Sequence, residues 1–155
     1  MMIRRAKNVH IYFFRTNENN KLEFAVMQRT DDPSIFQGAS GGIRDDETPE
    51  QAALRVASYE AGVSGTVPLF RLTSMSYVPA IVFGSHAAEW GEDIVVVPIY
   101  FFAMPVDEIK HSEQHSDIQW HSFDEAFSMF TYESQKTGLW ELNERLLRGN
   151  LQRAE

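Results

Sequence analysis

Cysteine is absent from this 155-residue chain. That excludes disulfide bonds, thiol nucleophiles and the thiolate ligands of closed zinc sites. No apolar run approaches the ~20 residues of a membrane-spanning helix, and the opening MMIRRAKN lacks the apolar core of a signal peptide. Positive charge is scarce: 14 Lys and Arg stand against 22 Asp and Glu, a formal net charge of −8. Nucleic-acid backbones are bound by basic surfaces that displace counterions, so no nucleic-acid partner is expected, and no membrane partner either. Repeats and low-complexity tracts are also missing. The expectation is a soluble, cytoplasmic protein.

What is present is enough for a core. Hydrophobic residues make up 43% of the chain, with eleven Phe and three Trp, and the length fits a single domain over residues 1–155. Residues 41–63, GGIRDDETPEQAALRVASYEAGV, are the most informative stretch. Gly41 and Gly42 predict a loop that folds tightly against a ligand. Thr48 with Gln51 forms a capping-box pattern, Pro49 suits the first helical turn, and Gly62 supplies a left-handed stop. A helix over Pro49 to Ala61 follows.

The spacing Gly41, Glu47, Arg55, Glu60, Gly62, Val63 resembles the Nudix box, GX5EX7REUXEEXGU with U aliphatic. Upstream, VMQRTDDP at 26–33 with Phe36-Gln37 is similar to a run in the branch that hydrolyses dihydroneopterin triphosphate and dATP. Glu113-Gln114-His115 and Trp120 resemble that branch's later segment. The resemblance implies an α/β fold, the Nudix α/β/α sandwich with a mixed sheet. It also implies cleavage of a nucleoside or pterin triphosphate to a monophosphate and pyrophosphate with Mg2+ or Mn2+.

The family holds its cations on glutamates at the positions of Val56, Tyr59 and Glu60, and only Glu60 is a glutamate here. Residues i and i+4 share a helix face, which is how one helix presents paired carboxylates to a hard cation. The resemblance assigns metal binding to Glu60 and Glu47 and catalytic roles to Glu60, Glu113 and Arg55. Substrate contacts fall to Arg29, Phe36, Gln37, Ser40, Gly41 and Gly42. A further family carboxylate falls on Gln114, one residue from Glu113, and Asp45, Asp46, Glu92 and Asp93 are alternative acids. Plainer roles stand beside these: Arg29 pairing with Asp31 or Asp32, Phe36 in the core, and Val56 with Tyr59 as apolar contacts. His111, His115 and His121 match no closed tetrahedral zinc spacing.

Elsewhere, residues 8–15 and 22–29 read as a β-hairpin, 66–77 as a strand and 80–93 as a flexible loop near the site. IVVVPIYFFAM at 94–104 reads as a buried strand in which Pro98 marks an edge or bulge. A short strand at 118–121, a helix at 123–129 capped by Ser122, and a core-facing helix at 133–148 complete the pattern. Both chain ends read as frayed. Three functions fit: an attenuated hydrolase, a nucleotide-binding module without turnover, and a homodimerisation domain without ligand.

Overall fold

The computed structural model describes residues 4–110 and 112–154. Among these residues eight strands form one mixed sheet: β1 (Arg4–Thr16), β2 (Leu22–Arg29), β3 (Phe36–Gln37), β4 (Ala39–Arg44), β5 (Phe70–Pro79), β6 (Val96–Pro105), β7 (His115–His121) and β8 (Gln152–Arg153). The main path runs β3-β2-β1-β6-β5-β8, with β4 paired to β1 and β7 to β2. β1 and β2 form the expected antiparallel hairpin, and β1 lies parallel to β6. The helices are α1 (Pro49–Ala61), α2 (Ser85–Trp90), α3 (Phe123–Met129) and α4 (Glu133–Arg148). None among the described residues is long and apolar enough to cross a membrane.

Successive strand residues point to opposite faces, and both faces are buried. Val9, Ile11, Phe13, Ala25, Met27, Phe102 and Met104 meet Ala52, Ala53, Val56 and Ala57 of α1. The intervening Tyr12, Phe14, Phe24, Val26, Phe101 and Ala103 meet Ala126 and Phe130 by α3 and Leu139 and Leu142 of α4. This alternation builds the α/β/α sandwich. Tyr12 donates from its hydroxyl to the Gln135 carbonyl at 2.6 Å. Gly138 lets α4 approach so closely that a Cβ there would lie 2.6 Å from the Phe101 ring.

The helix signals act as the sequence implies. Thr48 and Gln51 form a reciprocal capping box, Gly62 closes α1 with φ 68°, and Ser122 with Glu125 caps α3 in the same way. Pro98 precedes the part of β6 paired with β1, so the strand has one neighbour there and the missing N–H is tolerated.

Four expectations change. Gly41 and Gly42 lie in β4, paired with Val9 and Asn8, and neither has positive φ. Small size, not turn geometry, is what their positions require. Residues 80–93 fold into a 3-10 turn (Ala80–Phe83) followed by α2. The C-terminal stretch is not wholly frayed, because Gln152 and Arg153 pair with Arg71 and Phe70. Leu147 is 67% exposed while Leu142 is fully buried, so α4 faces the core through a narrower stripe. Leu142→Ala should therefore lower unfolding free energy by about 3 kcal/mol, and Leu147→Ala by less than ~0.5 kcal/mol. Urea denaturation of the two variants checks this, and equal losses would contradict the assigned face.

Candidate functional site

Two cavities meet at the end of the sheet beside α1. The polar one, about 450 Å3, is walled by Arg4, Asn8, Arg29, Ser40, Glu60 and Glu113 among others. The other, about 500 Å3, is more apolar and includes Val78, Val82, Ile99 and Tyr132, with Gln135 from α4. Asn8, Arg29, Gln37, Ser40 and Phe83 border both. The result is one cleft with a charged half and an apolar half, each of small-molecule size.

Glu60 sits at the inner wall of the polar half, near the C-terminal end of α1, its side chain 14% exposed. Its Oε1 accepts from the Ser40 N–H at 3.3 Å and lies 3.6 Å from His115 Nε2. Burial raises its pKa to about 7, against the opposing pull of the Ser40 N–H and the Arg29 charge. The negative end of the helix dipole lies on the same side. Glu60 is thus a carboxylate poised to exchange a proton near neutral pH.

Glu47 occupies a different place. Its two oxygens accept from Arg55 at 2.6 and 2.9 Å, and one also accepts from the Arg44 N–H. Arg55 reaches on to the Gly42 carbonyl at 2.6 Å. This clamp ties the turn before α1 to β4 and holds the helix in position; Glu47 borders neither cavity. In this position Glu47 helps to seat the helix, with both oxygens accepting from Arg55.

The remaining candidates separate. Arg29, Gln37, Ser40, Gly41, Glu60 and Glu113 converge on the polar half. Phe36 does not: it packs against the cluster around Phe24 and Phe130. Gly42 lies beneath the guanidinium of Arg4. Arg29 is bidentate to Asp31, as the plainer reading had it, while still bordering both halves. Val56 is buried in the core, its Cγ2 2.6 Å from where a Cβ on Gly41 would stand. Tyr59 is 69% exposed, outside the core that holds Val56, and accepts from Gln114 Nε2 at 3.1 Å. Asp45, Asp46, Glu92 and Asp93 are exposed and border neither cavity. His115 and His121 lie at opposite ends of β7, and His111 falls outside the described residues.

The sequence pattern of the NUDIX domain matches residues 5–144. The chain belongs to the Nudix family. Among solved structures, a candidate NUDIX hydrolase of Listeria monocytogenes is 29% identical, with a TM-score of 0.82 over 94% of this chain and 97% of that one. The dihydroneopterin triphosphate pyrophosphohydrolase of E. coli is 16% identical, TM-score 0.72, over 92% and 99%. An Ap4A hydrolase of C. elegans is 16% identical, TM-score 0.71, over 92% and 98%. The last two show the shared fold. No curated protein sequence is significantly similar.

Nudix hydrolases generally use divalent cations, but the donor set of this Nudix chain does not fit a resident one. Among the described residues, no three His, Asp or Glu side chains are grouped to hold a metal. Asp31 is taken by Arg29, Glu113 is exposed, and Glu60, its side chain 14% exposed, is the least exposed carboxylate of the polar half.

Several cleft residues carried no signal in the sequence. Arg4 and Asn8 come from the start of β1, whereas Phe83 comes from the 80–93 stretch expected near the site. His10 is fully buried, with Nε2 accepting the Gly38 N–H at 2.9 Å, so its proton sits on Nδ1. Burial, then the neighbouring His115, lowers its pKa to about 3.

The two buried groups act oppositely on stability. The raised carboxyl of Glu60 favours folding fully below its ordinary pKa of 4.5, and that contribution is lost as pH rises through about 7. His10 contributes above its ordinary 6.5 and loses it as pH falls toward 3. The difference between wild type and Glu60→Gln isolates the carboxylate. From pH 4.5 to 8, unfolding free energy of the wild type relative to that variant should fall by on the order of 3 kcal/mol. Urea curves across this range provide the measurement, and a pH-independent difference would show that Glu60 is not desolvated.

Proposed function

We propose that this Nudix chain is an attenuated pyrophosphohydrolase. Its substrate is a nucleoside or pterin triphosphate, dATP-like, cleaved to a monophosphate and pyrophosphate. The observation that carries the reading is the two-part cleft, in which an apolar half continues into a charged half containing Glu60. The heterocycle takes the apolar half, between Val78, Ile99 and Tyr132. The phosphates take the polar half, beside Arg29, Gln37 and Ser40.

Glu60 accepts a proton from water as the water oxygen adds to phosphorus, and the bridging P–O bond breaks to release pyrophosphate. Arg55 acts through Glu47 and Gly42 by fixing α1, and so Glu60, against β4. Glu113 on the rim assists proton exchange with solvent. Rate is limited because Val56 is buried in the core and Tyr59 is exposed where the family resemblance implies carboxylates. A second reading, ligand binding without turnover, is favoured by the absence of grouped carboxylates among the described residues.

Pyrophosphate release should be assayed across dNTPs and dihydroneopterin triphosphate, with and without Mn2+. Slow release from at least one substrate is expected, with Glu60→Gln lowering it about 100-fold. Thermal stabilisation by a nucleotide without release selects the second reading. Neither release nor stabilisation by any of them rules out both.

A further inference from the structure

Arg4 is placed as few arginines are. Its Nη2 donates to Asn8 Oδ1 at 2.7 Å, and its guanidinium carbon stands 5.1 Å from the centre of the Phe83 ring. Its carbonyl accepts from Trp90 Nε1 at 3.0 Å, so the segment after β5 holds both its backbone and its head. Beneath it lies Gly42, where any Cβ would overlap the guanidinium. The side chain is thus fixed between a ring and a bare backbone, facing the polar half of the cleft.

Its charge is not answered. Arg4 has no ion-pair partner among the described residues, although the chain carries an excess of acids. Its Nε is buried without a hydrogen-bond partner. Arg55, on the other side of Gly42, is close enough to repel it, and burial with that repulsion lowers the Arg4 pKa. A buried donor left unpaired beside a like charge is costly. An anion in the polar half would neutralise the charge of the guanidinium that borders it.

We propose that Arg4 is a phosphate-binding residue, and that with Arg29 it holds the di- or triphosphate of the ligand without a divalent cation. Guanidiniums thereby answer the phosphate charge at a site where Asp31 is already paired with Arg29 and no carboxylates are grouped to hold a metal among the described residues. The inference rests on the hydrolase reading for the identity of the ligand, but concerns binding and not turnover.

Calorimetric titration of the whole chain with inorganic pyrophosphate in EDTA provides the test. Wild type should bind, with Kd changing less than threefold when EDTA is replaced by Mg2+. Arg4→Gln should weaken binding at least tenfold, with Arg4→Lys intermediate because a point charge cannot reproduce the fork. Gly42→Ala, which leaves the arginine in place but displaces its head, should also weaken it. A thermal melt of each variant confirms folding, and Gly42→Ala decides the matter if Arg4→Gln does not fold. Binding that needs Mg2+, or equal Kd in wild type and the folded variants, overturns the inference. Mn2+-dependent turnover without cation-free pyrophosphate binding would overturn it while sparing the hydrolase reading. Cation-free binding without turnover would do the reverse.

Discussion

The cleft depends on how tightly α1 is seated on β4. Glycine at 41 allows Val56 to press against the strand, because any side chain there would occupy the valine's own volume. Arg55 then joins the Glu47 carboxylate to the Gly42 carbonyl, and the capping box and left-handed Gly62 fix the helix ends. These contacts set where Glu60 falls. The apolar residues of α1 cover one face of the sheet while α3 and α4 cover the other, so the strands cannot shift without opening a core.

The polar half of the cleft sets the guanidiniums of Arg4 and Arg29 among three carboxylates: Asp31 paired with Arg29, Glu113 exposed on the rim, and Glu60 only 14% exposed. A hard cation requires ionised oxygen ligands, and of these three Asp31 is already paired and Glu60 is pushed by burial toward its neutral form.

Much of the frame was legible in the sequence because it rests on local rules. Thr48, Gln51, Pro49 and Gly62 act within a few residues of one another, and α1 has the bounds they imply. Ser122 does the same for α3, and the near-continuous apolar and β-branched runs of β1, β2 and β6 mark strands buried on both faces. What was not legible depends on contacts distant in sequence. Arg4 reads as part of a frayed end until Gly42 and Phe83 close around it, and His10 reads as a strand residue until Gly38 donates to it. The Glu47–Arg55 spacing belongs to the family pattern, but that Arg55 takes both carboxylate oxygens shows only in the structure. Gly41 and Gly42 signalled a turn, though the constraint on them is steric and comes from Val56 and Arg4.

The central claim is that one cleft receives a nucleotide with its phosphates on arginines and its heterocycle on the apolar wall. A crystal structure of the protein with α,β-methylene-dATP, grown in EDTA, tests it most directly. The account predicts phosphate oxygens within hydrogen-bonding distance of Arg4 and Arg29, near Glu60, and adenine between Val78, Ile99 and Tyr132. Phosphates bound away from both arginines, or a heterocycle outside the apolar half, would contradict it.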